Sequence, residues 1–170
     1  MIRNSLVLVT LVAVTVITEA AESTNRLLFP AGGFSIKPLE APFGQATQQP
    51  LLMALPASDG FAANVNVQIQ PYDATRDDYM ALSEQQFKGA GLEVIRRSKQ
   101  GQSGIVFEYT GEMQGRKLHW YSRAECLPGR VYLVTATATE AQWKKDATPL
   151  KACVDSFRRE DGERAAAPRR

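Results

Sequence analysis

The chain has 170 residues, of which 20 are Lys or Arg, 18 are Asp or Glu and 44% are hydrophobic. This composition is typical of a single folded domain and excludes wholesale disorder, collagen and coiled coils. The net charge of +2 is too small to indicate a nucleic-acid partner, and the single histidine excludes a histidine-rich metal cluster.

The first twenty residues have the features of a secretory signal peptide. Arg3 gives a positive start, residues 6–17 form a run of Leu, Val, Ala, Ile and Thr, and small residues follow at Ala20 and Ala21. We predict a signal peptide over residues 1–20, cleaved after Ala20 or alternatively after Ala21. The run is shorter than the ~20 apolar residues of a typical spanning helix, and an uncleaved anchor is the alternative. We expect the mature protein in the periplasm or outside the cell, without a membrane span.

Short strands are predicted in the first part of the mature chain. Residues 21–32 are expected to be an exposed lead-in, and a strand is predicted within residues 33–39. A loop rich in Pro, Gly and Gln follows, and a second strand is predicted over residues 51–55.

A third strand, over residues 63–70, alternates apolar and polar side chains. Val65 and Val67 alternate with Asn64 and Asn66, which places one face in a core and the other toward solvent or a polar partner. A buried polar row must be hydrogen-bonded, whereas an exposed row offers hydrogen bonds to a partner. Both interpretations are open from the sequence.

A helix is predicted after this strand. Thr75 is its expected N-cap, and Asp77 and Asp78 occupy its first turn, where carboxylates complement the helix dipole and the unpaired amides. Glycines at 89 and 91 are expected to end the helix. Helix capping explains these carboxylates, and a weak surface site for a divalent cation is the alternative.

Four strands joined only by turns are predicted next, over residues 92–97, 105–113, 117–126 and 131–139. Strands connected in this way form an antiparallel meander. The predicted fold class is therefore α+β, a helix-flanked antiparallel β-sheet.

Two helices and a tail are predicted after the meander. One helix covers residues 140–146, and the second begins at Thr148 with Pro149 at its first helical position. Residues 159–170 are rich in Arg and contain nothing apolar larger than Ala, so we expect a disordered tail there.

Cys126 and Cys153 are the only cysteines of the chain. Because an exported protein lies in an oxidising compartment, we predict a structural disulfide between them, with two buried free thiols as the alternative. The chain-entropy estimate for such a bond is about 3–4 kcal/mol. Neither cysteine lies in a C-x-x-C motif, so a redox site is not indicated.

No catalytic motif stands out in the sequence. Residues 101–104 resemble part of the G-x-S-x-G turn of serine hydrolases, but Ile105 occupies the position of the second glycine. His119 is able to act as a general base near neutral pH, yet it lies in the middle of a predicted strand. A hydrogen-bonded sheet histidine is the favoured interpretation, and a catalytic or ligand-binding role is the alternative. We predict no enzyme activity, catalytic residue, metal ligand or cofactor.

Two aromatic residues follow His119 directly. Trp120 and Tyr121, together with His119, Asn64 and Asn66, form the candidate surface for a ligand or a partner. Aromatic residues on a strand beneath a helix more often belong to the core, which is the alternative here.

The order of several short motifs resembles the PsbP-like superfamily and its bacterial exported relatives, the DcrB-like and LpqN-like proteins. The motifs are G-F-S-I at Gly33–Ile36, F-x-x-N-V-N-V at Phe61–Val67, D-D-Y at Asp77–Tyr79, Y-T-G at Tyr109–Gly111 and S-F at Ser156–Phe157. The resemblance covers residues 33–158 and implies an α-β-α sandwich that serves as a non-enzymatic exported accessory protein. The calcium and chloride role of plant PsbP is not carried over, because no residue here matches a metal ligand.

The sequence therefore favours a non-catalytic accessory or binding protein of the cell envelope, whose partner is an unidentified envelope protein or a small ligand. The alternative is a carrier of a small hydrophobic or lipid ligand. A carrier needs a cavity of several hundred Å3 between sheet and helix, lined by residues such as Phe107, Trp120 and Trp143.

Overall fold

The computed structural model describes residues 26–29, 32–36 and 47–159. The predicted signal peptide, and residues 160–170 of the predicted tail, lie outside the described residues. The chain divides into two compact units, Met1–Glu40 and Ala41–Arg170.

The first unit contains a short antiparallel hairpin. Strand β1 (Leu27–Phe29) pairs with strand β2 (Phe34–Ile36), and the rings of Phe29 and Phe34 stack with their centroids 4.8 Å apart. Gly33 has a φ of 69°, which glycine adopts without strain, and the chain reverses direction there. Strand β2 agrees with the predicted strand, whereas β1 lies in the segment for which we expected an exposed lead-in.

The second unit is a six-stranded antiparallel sheet with two helices. In chain order its elements are β3 (Gln48–Ala54), β4 (Asn64–Pro71), α1 (Arg76–Gly89), β5 (Glu93–Gln100), β6 (Gly104–Met113), β7 (Arg116–Leu127), β8 (Arg130–Thr139) and α2 (Glu140–Asp155). The order across the sheet is β3-β4-β8-β7-β6-β5, and all neighbours are antiparallel. The predicted α+β class and the meander of the last four strands are confirmed.

Helix α1 begins where the sequence predicts. The Thr75 hydroxyl accepts a hydrogen bond from the Asp78 backbone N–H, and the Asp78 carboxylate accepts one from the Thr75 backbone N–H, both at 3.1 Å. This reciprocal pair is a capping box. The neighbouring Asp77 carboxylate accepts hydrogen bonds from Arg76 at 3.2 Å and Lys99 at 2.9 Å. Capping and ion pairing therefore account for these carboxylates.

Helix α2 is continuous, and the predicted second start at residues 148–149 is wrong. Its N-cap is Thr139, whose hydroxyl accepts a hydrogen bond from the Gln142 backbone N–H at 3.2 Å. The proline lies inside the helix and removes one backbone hydrogen bond. Trp143 before it and Leu150 after it are both buried in the same cluster. This shared packing holds the helix together across the proline.

The two helices cover opposite faces of the sheet. Helix α1 packs mainly on β5, β6 and β7, and helix α2 packs mainly on β4, β7 and β8. The α1-side cluster contains Tyr79, Ile105, Phe107, Tyr109, Leu118, Trp120, Ala124 and Val131, and the α2-side cluster contains Ala63, Val65, Val106, Tyr121, Val134, Ala136, Ala138, Trp143, Leu150 and Val154. Neighbouring strand residues enter different clusters because strand side chains alternate between faces. The architecture is the α-β-α sandwich that the resemblance implies.

Within the described ranges, neither α1 nor α2 has the length and apolar character that a membrane-spanning helix requires.

Candidate functional site

A cleft of about 340 Å3 lies between α1 and the sheet. Its lining comes from α1, from strands β6, β7 and β8, and from the end of β4 with the residues that follow it. The lining residues are Thr47, Gln70, Pro71, Tyr72, Tyr79, Leu82, Ser83, Gln86, Phe87, Phe107, Tyr109, Ser122 and Leu133. Its volume falls within the roughly 300–1,000 Å3 of ordinary small-molecule sites, as does that of a depression of about 420 Å3 lined by Glu84, Val94, Ile95, Arg96 and Arg97. The cleft beside α1 is the candidate functional site because its lining combines aromatic rings with hydrogen-bonding groups.

The position of α1 explains why the cleft is open. The helix packs mainly on β5, β6 and β7, so the α1 side of β8 and β4 extends beyond it. Ser122 of β7 lies on the floor of the cleft, in register with Phe107 on one side and Thr135 on the other. A small side chain at this point of the floor leaves room above the sheet.

One wall of the cleft is a stack of aromatic rings. Phe87 of α1 stacks on Tyr109 with centroids 4.2 Å apart and meets Phe107 edge-on at 5.2 Å. Tyr109 in turn stacks on Trp120 at 5.3 Å. These contacts hold the rings in fixed orientations, and Phe87, Phe107 and Tyr109 together line this side of the cleft.

Hydrogen-bonding groups form the other part of the lining. The Tyr79 hydroxyl donates to Gln70 Oε1 at 2.8 Å, and Gln70 Nε2 donates to Gln68 Oε1 at 3.0 Å. The Ser83 hydroxyl donates to the Tyr79 carbonyl at 2.8 Å. The side chain of Gln86 lines the cleft from an exposed position of α1. These amide and hydroxyl groups are neutral.

The tyrosines of the cleft are neutral as well. Burial raises the pKa of Tyr109 to about 12, and burial also raises the pKa of Tyr79. Both phenols therefore keep their hydrogen at physiological pH and act as hydrogen-bond donors.

The structure does not bring the predicted surface residues together. Asn64, Asn66 and Trp120 lie on the α1 side of the sheet, whereas His119 and Tyr121 lie on the α2 side. None of the five lines the cleft.

The two asparagines of β4 are half-buried and differ in their partners. Asn64 Nδ2 donates to the Ala62 carbonyl at 3.0 Å. The Oδ1 atom of Asn66 is buried, and among the described residues none donates a hydrogen bond to it. Asn66 belongs to the row that continues through Thr135 to Ser122 on the cleft floor.

His119 lies in a charged cluster on the α2 side. Its Nε2 atom is 3.0 Å from Glu108 Oε1 and its Nδ1 atom is 3.2 Å from Glu140 Oε1. Its ring stacks on Trp143 with centroids 4.1 Å apart. Since carboxylates only accept hydrogen bonds, both contacts are hydrogen bonds when both ring nitrogens carry hydrogen. The imidazole is thus fixed on three sides, as in a hydrogen-bonded sheet histidine.

Glu108 is buried at the centre of this cluster. It faces His119 and also Lys151, whose Nζ atom lies 2.8 Å from Glu108 Oε1 and over the rings of Tyr121 and Trp143. Burial raises the pKa of Glu108, but hydrogen bonds from Lys151 and His119 outweigh burial and hold this pKa below its ordinary value. The carboxylate is therefore charged and paired at neutral pH.

The charged cluster continues along the edge of α2. The Tyr121 hydroxyl donates to Asp155 Oδ1 at 2.9 Å, and Arg123 donates to Glu125 at 2.5 and 3.1 Å. Ser103 also donates to Glu125, at 2.9 Å. The cluster therefore bonds α2 and the loop before β6 to the central strands, and its groups are engaged with one another.

No metal site is formed within the described ranges, where no group of three or more His, Cys, Asp or Glu side chains has the geometry to hold an ion. The hydrogen bonds of His119 go to carboxylates, and in the described part of the chain none joins it to a hydroxyl or a thiol. The geometry of a nucleophile activated by a base is not present around His119.

Cys126 and Cys153 are free thiols in the structure, which forms no disulfide between them, and the alternative of two free thiols agrees with this arrangement. Cys126 packs against the α1-side cluster and Cys153 against the α2-side cluster. The sheet lies between the two side chains, and a disulfide requires its two cysteines to approach directly. Burial raises the pKa of the Cys126 thiol to about 11, which leaves it unreactive at neutral pH.

A second, smaller groove of about 220 Å3 lies between the sheet edge at β3 and helix α2. It is lined mainly by apolar side chains: Met53, Ala54, Leu55, Ala63, Asn64, Val65, Pro149, Leu150 and Cys153. It lacks the combination of rings and hydrogen-bonding groups that the cleft beside α1 offers.

Comparison with known proteins identifies the fold but not the function. No family model and no curated protein sequence matches the chain. The solved structure of PA94, a Pseudomonas aeruginosa protein of unknown function, aligns with a TM-score of 0.62 and 17% identity, over 80% of this chain and 98% of that one. This likeness shows that the two chains share a fold.

Two other solved structures align over smaller parts of the chain. The cyanobacterial PsbP protein of Synechocystis aligns with a TM-score of 0.41 and 12% identity, over 64% of this chain and 82% of that one. LpqN of Mycobacterium tuberculosis, which is involved in cell envelope biogenesis, aligns with a TM-score of 0.40 and 12% identity, over 66% of this chain and 81% of that one. Both come from groups that the sequence resembles, and the resemblance to DcrB-like proteins stays a prediction.

Sequence reasoning named Phe107 of the cleft but missed its other lining residues, and it named His119 but missed its carboxylate partners. The partners of His119 follow from the hairpin register, because the turn at Gln114 and Gly115 pairs Thr110 with His119 and so brings Glu108 to the same face. No comparable feature of the sequence predicts the cleft, since the cleft depends on where α1 lies across the sheet.

Proposed function

We propose that this protein is an exported, non-catalytic binding protein whose cleft beside α1 takes a small ligand. The single observation that carries the proposal is the cleft of about 340 Å3, which combines fixed aromatic rings with neutral hydrogen-bonding groups. Such a combination is typical of sites that bind and orient small molecules. The signal-peptide features of residues 1–20 support export.

The surroundings of His119 support a non-catalytic role. Both of its ring nitrogens face carboxylates, and its ring is stacked on Trp143. A general base must reach the proton that it removes from a substrate. His119 is only 7% exposed, so its contacts stabilise the fold and leave no ring nitrogen for a substrate.

The proposal develops the carrier function that the sequence offered as its alternative. Of the three residues named for a carrier cavity, Phe107 lines the cleft, Trp120 stacks behind Tyr109, and Trp143 lies on the opposite side of the sheet. A partner protein in the envelope stays a prediction from the sequence. We rank the small ligand first because the cleft is a formed concave site.

The test is titration of the purified protein with N-phenylnaphthylamine, an uncharged ring probe whose fluorescence rises in apolar surroundings. We expect saturable binding at one site per chain. The Gln86→Trp variant should lose this binding, because a large ring then fills the side of the cleft that α1 contributes. Gln85→Trp is the matched control, since Gln85 is exposed on the same helix and does not line the cleft.

Equal binding by the two tryptophan variants would locate the probe elsewhere, for example in the groove beside Pro149. That result would overturn the proposal, and so would an absence of binding to the unmodified protein. Circular dichroism of both variants checks that the helix is retained.

A further inference from the structure

The cleft beside α1 has a lining without ionic charge. Among the described residues that line it there is no Asp, Glu, Lys, Arg or His. The polar groups are the amides of Gln70 and Gln86 and hydroxyls such as those of Ser83 and Ser122. A chain with 22% charged residues thus has a binding cleft lined only by neutral side chains.

The acidic residues of α1 are all engaged outside the cleft. Asp77 pairs with Lys99 and Arg76, Asp78 closes the capping box with Thr75, and Glu84 pairs with Arg97. These carboxylates therefore have partners of their own and do not offer a counter-charge to a ligand in the cleft.

A charged ligand would lose hydration in this cleft without gaining an ionic partner. Transfer of an unpaired charge into such surroundings is strongly unfavourable. An uncharged ring, by contrast, packs against the aromatic side of the cleft formed by Phe87, Phe107 and Tyr109, and its hydroxyl or amide groups meet the neutral donors and acceptors of the lining.

We propose that the cleft selects uncharged ring compounds that carry hydroxyl or amide groups, and that it rejects their charged analogues. This inference rests on the proposed function and adds the chemical class of the ligand. Three observations carry it: the lack of charged lining residues, the aromatic wall, and a volume of about 340 Å3 that suits a compound of two or three rings.

The test compares two probes that share their rings and differ in charge. N-phenylnaphthylamine is neutral, and anilinonaphthalene sulfonate carries one negative charge on the same skeleton. We expect the neutral probe to bind about tenfold tighter or more, the ratio that corresponds to about 1.4 kcal/mol. Equal affinity, or tighter binding of the sulfonate, would overturn the selectivity while leaving the binding function in place. Failure of both probes to bind would instead overturn the proposed function.

A pair of lysine variants tests the cause of the selectivity. Gln86→Lys adds a positive charge to the lining, whereas Gln85→Lys adds the same charge to the neighbouring exposed position of the helix. We expect the sulfonate to bind several-fold tighter to Gln86→Lys than to Gln85→Lys, with the neutral probe unchanged or weaker. An identical gain in both variants would mean that the net charge of the protein sets the affinity, and would overturn the inference.

Discussion

Glu108 makes the fold depend on pH through its two hydrogen-bonding partners, Lys151 and His119. Its contacts with Lys151 and His119 replace the hydration that burial removes. Arg96 lies opposite Glu108 in the neighbouring strand, and Tyr121 lies opposite it on the other side. Removal of one partner of a buried charged pair leaves the other uncompensated, which is why such positions are sensitive to substitution.

The pH dependence of stability follows from the lowered pKa of Glu108. Because this pKa is lower in the folded than in the unfolded protein, ionised Glu108 stabilises the fold above its ordinary value of 4.5, and this contribution is lost as the pH falls through the folded value. Glu108→Gln should lower the free energy of unfolding by about 1.5–3 kcal/mol at neutral pH. Its stability should also fall less steeply than that of the unmodified protein below pH 4.5.

Urea unfolding at a series of pH values measures this effect. Glu112→Gln is the matched control, because Glu112 is exposed near the end of the same strand. Parallel pH profiles for the unmodified protein and Glu108→Gln would show that Glu108 does not carry the acid sensitivity.

At the scale of elements, the N-cap residues are the local features that set where the two helices begin. Thr139 is the last residue of β8, where it pairs with Leu118, and it is also the N-cap of α2, with Gln142 completing its capping box. The helix therefore starts directly at the end of β8 without a loop, which directs Trp143 onto the α2 side. The N-cap hydrogen bond contributes about 1 kcal/mol in comparable helices.

Thr139→Ala and Thr148→Ala together test where α2 begins. Thr139→Ala should destabilise the protein by about 1 kcal/mol or somewhat more, because the Gln142 backbone N–H loses its acceptor. Thr148→Ala should be neutral or slightly stabilising, since Thr148 is exposed in the helix interior, where alanine is the better residue. Thermal unfolding measures both, and a larger loss at Thr148 would indicate that a second helix starts there.

The strands of the six-stranded sheet could be predicted because each has a local signal in the sequence. Alternation around Val65 and the turn residues Gln114 and Gly115 fix strands and register within a few positions. The continuity of α2 could not be predicted, because a Thr-Pro pair is an equally good start for a new helix. Packing of Trp143 and Leu150 on one face favours one continuous helix over two separate helices, and that packing exists only in the folded protein.

At the scale of the whole molecule, the sheet separates residues that the sequence analysis grouped together. The predicted disulfide is not formed in the structure, where Cys126 and Cys153 belong to clusters on opposite faces. The candidate ligand surface was divided in the same way. Because side chains alternate between the two faces along β7, the sequence already assigns Trp120 and Cys126 to one face. The position of α2, and hence of Cys153, is set only by the packing of the folded protein.

The free thiols lead to a prediction for the intact protein. Its thermal stability should be the same with and without a reducing agent, and its mass after denaturation and alkylation should correspond to two modified cysteines. Cys126 should react slowly in the folded state, because its thiol is half-buried with a pKa raised to about 11. A mass that is lower by two hydrogens, with no alkylation, would contradict the free thiols.

The construction of the cleft has a mechanical consequence. Its floor belongs to β6, β7 and β8, which are interior strands paired along both edges, whereas α1 is held above this floor by side-chain contacts such as the Tyr79–Gln70 hydrogen bond and the Phe87–Tyr109 stack. We therefore expect a bulky ligand to be accommodated by rearrangement of α1 side chains, while the strand ladder beneath keeps its register.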